Sequence, residues 1–407
     1  MTVAPEARAC HKGTFSRICP RVSAALSSIA ALLCSVALLI GGNALIGVTA
    51  PLRARLDGFP ELTIGLLGSA YFAGMLAGTL AAPAIIRRGG HIRAFTAFVA
   101  LAVASAVLMP VLASPWPWLV FRAVFGFVFA GLYAVIEAWI NARATNANRG
   151  SLYALYQIAS FGASAGGQMA LQPLGPTGFS AFSVASALLA LAIVPMAMTS
   201  VDPPAQPRTV QPRLLWLVRL APVSCLAVLA AGAANGATIS LGPIFAVGIG
   251  MPPADAPLFT SAIVLGSAVG VFPVGAISDR IDRRVVMATV MIAGAGFELV
   301  LSRMGAPSLW VIALGFLVGL TTYSLYTLAV SIANDGASPH DLVFISVGLL
   351  FIYCVAAILA PAVASILMRD FGPQMLFLQN ACVHIAIAAF ALWRLMVAPK
   401  RKRRASS

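Results

Sequence analysis

Long apolar runs recur along the whole chain, separated by short polar or Pro/Gly-rich segments. They cover residues 23–50, 62–86, 94–113, 118–141, 151–173, 179–199, 220–247, 257–277, 285–302, 309–332, 342–367 and 375–396. Most reach the length of about 20 residues that a helix needs to cross a bilayer core of ~30 Å. They are too long for barrel strands, and a lipid-exposed backbone must satisfy its own hydrogen bonds. The pattern predicts an all-α membrane protein of twelve transmembrane helices.

The basic residues orient these spans. One side collects Arg8, Lys12, Arg17 and Arg21, then Arg87, Arg88 and Arg93, Arg143 and Arg149, Arg208, Arg213 and Arg219, Arg280, Arg283 and Arg284, and Lys400 to Arg404. The other side holds only Arg53, Arg55, Arg303 and Arg369. The excess of positive charge marks the cytoplasmic side, so both termini are expected there, as an even number of spans requires. Residues 201–219 break the rhythm with Pro203, Pro204, Pro207 and Pro212 and read as a linker. The expected organisation is a cytoplasmic basic tail (1–22), a six-helix bundle (23–200), the cytoplasmic linker (201–219), a second six-helix bundle (220–397) and a basic tail (398–407). The run after the first tail is too long for a signal peptide and reads as an uncleaved helix.

The two bundles repeat one another. Moving from Asn43 to Asn235, a step of 192 positions, also carries Pro51 to Pro243, Ser69 to Ser261, Gly74 to Gly266, Gly78 to Gly270 and Arg88 to Arg280. A step of 193 pairs Gly126 with Gly319, Tyr133 with Tyr326 and Asn141 with Asn334. Alanine and leucine matches are expected by chance in such a composition, but asparagine, proline and tyrosine in the same order are not. Two similar halves are what a protein rocking about a central site needs.

Composition supports lipid as the solvent. Hydrophobic residues make up 60% and charged residues 9% of the 407 positions, against about a quarter charged in soluble domains. The net charge of +14 lies in loops and tails, which argues for a membrane surface over nucleic acid. The six cysteines form no Cys-x-x-Cys pair, so neither a metal site nor a disulfide framework is expected. No Gly-rich phosphate loop is present, and no cofactor is expected.

Gly275-Ala276-Ile277-Ser278-Asp279-Arg280-Ile281-Asp282-Arg283-Arg284 resembles the loop signature of the major facilitator superfamily, with Asp282 where that family favours glycine. The matching loop of the first half, Pro83 to Arg93, is degenerate, with Arg87 where the family aspartate would stand. Arg122 followed by Gly126 is similar to the Arg-x-x-x-Gly motif of the fourth helix in the same family. The Gly-Pro element of proton-coupled drug antiporters is missing from the fifth span. The stretches Gly131 to Asn141 and Asn334 to Pro361 resemble a YcaD-like group of bacterial facilitators. The resemblance covers nearly the whole chain. It implies two pseudo-symmetric six-helix bundles, a monomer in a cell inner membrane, and transport of a small molecule without fixing which.

Charges inside spans are expensive and are first candidates for function. Arg122 and Glu137 share the fourth span, about 60° apart around it and roughly 22 Å apart along it. With Gly126, Phe129 and Tyr133 between them they form a stripe expected to face a central cavity; the alternative is that both charges pin the helix ends. Asn43 and Asn235 are candidate cavity amides related by the repeat, or helix-to-helix glue. Tyr323 and Tyr326 are further cavity candidates, with Tyr71 and Gln168 behind them. Glu137 is the candidate for proton coupling. Glu298, near Arg303, reads as a side chain snorkelling to the interface, and His384 as a packed peripheral residue.

The loop between spans 10 and 11 is the cytoplasmic loop without Lys or Arg. The resemblance implies a fold in which the loop after span 2 faces the start of span 11, so Arg87 or Arg88 is expected to pair across the halves with Asp335 or Asp341, and Asp279, flanked by Arg280 and Arg283, to cap the start of the fifth span near Arg149. Positive-inside topology with capping aspartates is the plainer alternative. Basic loops and tails are expected to lie on anionic lipid. These features favour a secondary transporter. A receptor or assembly factor on the same scaffold remains open, while a lipid-modifying enzyme would need a cluster of His, Asp or Glu that the dispersed charges do not offer.

Overall fold

A computed structural model describes residues 15–145, 148–197, 212–335, 337–338 and 341–397. Arg8, Lys12, the linker residues Pro203, Pro204, Pro207 and Arg208, His340 and the tail Lys400 to Arg404 lie outside them. The first half comprises α1 (Phe15–Leu56), α2 (Glu61–Gly89), α3 (His91–Val111), α4 (Pro115–Arg143), α5 (Arg149–Met169), α6 (Leu171–Leu174), α7 (Ser180–Leu191) and α8 (Ile193–Ala197). The second comprises α9 (Leu214–Leu220), α10 (Pro222–Gly248), α11 (Ala256–Ser278), α12 (Arg283–Leu301), α13 (Leu309–Thr322), α14 (Ser324–Asn334), α15 (Leu342–Phe371) and α16 (Met375–Val397). No strand occurs among the described residues.

Eleven spans are long and apolar enough to cross a membrane, α7 with α8 and α13 with α14 each counting as one. The twelfth is α5, whose serines, glycines, tyrosines and glutamine lower its hydropathy although it packs between α1 and α11. Some bounds differ from the sequence reading. Helix α1 begins at Phe15, inside the segment read as a tail, and runs on to Leu56. Its far end is extended by Arg53, which donates to Asp57 one turn later at 2.8 Å and to the Gly178 carbonyl at 3.1 Å. Helix α9 falls inside the segment read as linker. The tenth span parts at Tyr323, whose N–H reaches the Gly319 carbonyl only at 3.5 Å.

Without water between them, membrane helices associate through close packing and small residues. Gly126 on α4 lies so near α2 that a Cβ there would overlap the Tyr71 carbonyl. Its repeat mate Gly319 on α13 sits in the same way against the Ile263 carbonyl of α11. Each half thus has a glycine-mediated crossing at the same place. The halves meet where α2 packs on α15, α5 on α11 and α1 on α10. Ser261 donates to the Ala165 carbonyl at 3.3 Å and Gln172 to Asp255 at 3.0 Å, toward the face opposite the chain termini.

Gly126→Ala should lower the thermal midpoint of the purified protein by several degrees, since forcing a carbon into a packed crossing costs about 1–3 kcal/mol. Gly166→Ala, where a Cβ meets nothing within 4 Å, should leave it unchanged or raise it slightly. Melting in detergent distinguishes the two.

Candidate functional site

The central helices enclose a cavity of about 280 Å³ between the halves. Its wall comes from α1, α2, α4 and α5 on one side and α10, α11 and α15 on the other, with Tyr323 at the α13–α14 join. Helices α3, α7, α12 and α16 contribute nothing to it. The cavity therefore lies on the pseudo-two-fold axis.

Arg122 is the one charged residue in the wall, and it is 6% exposed. Its guanidinium carbon stands 4.7 Å over the Tyr71 ring. That ring is held in turn by Asn43, whose amide donates to the Tyr71 hydroxyl at 3.3 Å. The Gly126 crossing sets this arrangement, because it brings the Tyr71 backbone against α4 one turn beyond Arg122. The Arg122 Nε and Nη1 atoms are buried and have no protein acceptor. No carboxylate lines the cavity; the remaining polar wall is Tyr133, Ser164, Gln168, Thr238, Thr260, Ser267, Tyr323 and Tyr353. A guanidinium out of water is costly unless paired, and one aromatic face supplies on the order of 2 kcal/mol when desolvated.

Among the residues singled out in the sequence, Asn43, Arg122, Tyr133 and Tyr323 line the cavity, as do Tyr71 and Gln168. Asn235 does not: it is 2% exposed behind the wall, within reach of Tyr353, with its Oδ1 unpartnered. Tyr326 stands edge-on to Tyr353 at 5.5 Å. Glu137 is exposed and lies off the cavity wall, within electrostatic reach of Tyr133, Tyr153, Tyr156 and Tyr326. The expected stripe on α4 is split. Gly126 is taken up by α2, while Phe129 stacks on Phe125 at 5.8 Å inside the bundle. Helical spacing alone did not reveal that half of this face is covered by α2. Tyr353, Thr238 and Thr260 were not foreseen, since hydroxyls at a helix interior carry no signal that separates cavity from packing.

The expected cross-half pairing is not formed in this structure. Arg87 and Arg88 are exposed and make no ion pair among the described residues. Asp335 instead accepts from Arg283 at 2.6 Å, and the same arginine reaches Asp279 at 3.1 Å. Its fork ties the loop after α11 to the end of α14 within the second half, so Asp279 does not cap α5. Asp341 accepts from the Ser338 hydroxyl at 2.7 Å, and Arg280 is exposed.

Glu298 requires a correction. It does not snorkel: it is fully buried, and its Oε2 lies 2.8 Å from Nδ1 of the equally buried His384. Helix α16 packs along α12 and covers this face, so His384 offers a partner nearer than the interface.

The sequence profile of the Major Facilitator Superfamily matches residues 223–407, and that described as Sugar (and other) transporter matches residues 22–197. Uncharacterized MFS-type transporter YcaD of Salmonella enteritidis is 27% identical over 86% of this chain and 92% of its own length. An uncharacterized MFS-type transporter of an Enterobacter species is 26% identical over the same shares. The nucleoside transporter NupG shares the fold with a TM-score of 0.75 at 12% identity, covering 91% of this chain and 99% of its own. A bacterial homologue of the human lysosomal transporter Spinster, inward-facing and occupied, gives 0.74 at 14% identity over 95% and 98%. Its helices make this chain a multi-pass membrane protein, its two halves each match a transporter family, and it is similar to the YcaD transporters of the major facilitator superfamily.

In a cysteine-depleted background, Ser164→Cys on the cavity wall should react with a water-soluble thiol reagent at least about tenfold faster than Ser105→Cys. Thiolate chemistry needs water, and Ser105 is buried within α3 away from the cavity.

Proposed function

We propose that this chain is a secondary transporter of a bacterial inner membrane, with both termini cytoplasmic, that moves a small organic anion with an apolar or aromatic body by alternating access. The observation that carries this reading is Arg122, a buried guanidinium in the cavity wall with two unpartnered nitrogens and no carboxylate beside it. An anion that offers two oxygens side by side, such as a carboxylate or sulfonate, matches the guanidinium fork. Tyrosine rings and apolar residues on both halves suit the rest of such a molecule, and about 280 Å³ holds only a small one. Protons are the proposed coupling ion, and Glu137, open to solvent on the path from the cavity, is its candidate carboxylate. Asn43 serves the site by orienting Tyr71 under Arg122.

Alternating access needs the termini-side face to close when the opposite face opens. Arg87 and Arg88 lack partners here among the described residues, which leaves them available to Asp335 or Asp341 when the halves rock together. Arg283 would then exchange Asp335 between partners in its own half and across the gap.

The test is a thermal-shift panel of aromatic and aliphatic carboxylates and sulfonates, each beside its neutral amide, with a nucleoside as polar neutral control. A ligand at 100 times its Kd stabilises the fold by about 2.7 kcal/mol. An acid should stabilise wild type while its amide does not, Arg122→Gln should lose the effect, and Arg122→Lys should keep part of it. Equal stabilisation by amides, or an undiminished shift in Arg122→Gln, would remove the anion reading. For the gate, Arg88→Asp and Asp341→Arg should each reduce flux several-fold and the double swap should recover much of it. A double swap no better than the singles rules the pairing out.

A further inference from the structure

Glu298 and His384 are buried together in the second half, away from the cavity, and nothing in the mechanism so far uses them. Both are 0% exposed. The Glu298 Oε2 to His384 Nδ1 contact of 2.8 Å is the one polar contact of either side chain, and Glu298 Oε1 and His384 Nε2 are unpartnered. The helices packed on α12 and α16 bring no other ion to the pair. Helices α11 and α13 contain no titratable residue, α10 contributes Cys225, and α14 contributes Tyr326. Helix α15 contributes Tyr353 and Cys354, with Arg369 and Asp370 paired to each other at its far end. Cys382 and Arg394 on α16 and Arg283 and Arg284 on α12 complete the set.

The architecture does not demand this pair. Stepping back by 192 positions places Ala106 under Glu298 and by 193 positions places Leu191 under His384, neither of them titratable. The first half closes the same bundle with serines, Ser35, Ser105 and Ser186, and no titratable pair. One turn before His384 on α16, Asn380 is 1% exposed and donates to the Thr238 hydroxyl at 3.0 Å. Thr238 lines the cavity, and Asn380 Oδ1 is unpartnered. Thr238 and Asn380 thus stand between the cavity and the α16 turn that carries His384, with no hydrogen bond joining Asn380 to His384.

We propose that Glu298 and His384 form a proton-binding site that couples the second half to the cavity. With one shared proton the pair is neutral, as carboxylate with imidazolium or as carboxylic acid with imidazole. Without it, a carboxylate would stand alone in hydrocarbon, and with two the imidazolium would; both are costly. The pair thus holds one transferable proton, taken up on Glu298 or His384 and released to water that reaches it from the Thr238 side of the cavity as the cavity changes face. No covalent or redox step is involved. The site deepens the proposed transport reading, and its proton binding can be measured without a solute.

The first arm uses full-length protein in nanodiscs with ¹³C-labelled imidazoles, the His384 resonance being assigned by H384Q. Between about pH 5 and pH 9, the range in which histidine charge changes are ordinarily seen, the expected result is a His384 titration that is displaced in Glu298→Gln. A His384 resonance fixed at every pH and unmoved by Glu298→Gln would overturn the proposal. The second arm uses proteoliposomes and benzenesulfonate, an anion of fixed charge. Glu298→Gln and His384→Gln should retain benzenesulfonate exchange and lose at least tenfold of its accumulation under a pH gradient. The double apolar variant Glu298→Met/His384→Leu guards against misfolding, because two matched apolar groups can replace a buried ion pair without loss of stability. If it melts like wild type and still accumulates the anion, the pair is packing alone and the proposal falls. Absence of any benzenesulfonate flux in wild type would count against the anion reading, while the imidazole titration still decides the proton site.

Discussion

A backbone in hydrocarbon finds no water to bond, so every span must satisfy its own amides, and a helix is the way a single segment can do so. That constraint leaves the helices with little hydrophobic reason to associate, since lipid is as apolar as leucine. Cohesion then falls to close approach. In this chain Gly126 under the Tyr71 carbonyl and Gly319 under the Ile263 carbonyl provide it at matching places in the two halves. The functional geometry follows from the first of these crossings. Moving α2 away from α4 would separate the Tyr71 ring from Arg122 and break the bond by which Asn43 holds that ring.

The two halves share a backbone plan and differ in their polar residues. Arg122 corresponds to Gly315 on a step of 193, and the Glu298 and His384 positions correspond to residues without a titratable group. The first half carries a lone cation in the cavity wall, and the second carries an acid–base pair behind it. Neither is required to hold helices together, because the other half manages without. Groups that are expensive in a bilayer and absent from the equivalent position are better read as belonging to the activity than to the scaffold.

Much of this was legible in the sequence, for a physical reason. A span must be apolar for a set length, so hydropathy marks each helix, and the few charges that interrupt it stand out. Arg122, Tyr133, Asn43 and Tyr323 were visible in this way and lie on the cavity wall. The sequence failed where the answer depended on which helix lies alongside. Asn235 matches Asn43 in the repeat yet sits behind the wall, because symmetry in sequence does not fix side-chain direction. Glu298 lies three residues from the end of α12, so proximity to the interface made snorkelling the natural reading. Only the packing of α16 against α12 shows that His384 is the nearer partner. Tyr353 and Thr238 are ordinary residues of apolar helices, and their exposure to the cavity is a tertiary fact.

On the proposed reading, charge balance links the two sites. Arg122 without an anion leaves an uncompensated positive charge in the wall, and the Glu298–His384 pair without its proton leaves an uncompensated negative one. Rocking the halves past each other passes the Arg122 site through its most enclosed state, while the Glu298–His384 pair is enclosed throughout, and an unpaired charge is costly in both places. A half-loaded protein is therefore the form least able to rearrange. With anion and proton both bound, each site is neutral and the barrier to rearrangement is lowest. Coupling then needs no direct contact between solute and proton, only that two buried charges in different halves must both be neutralised before the halves can move.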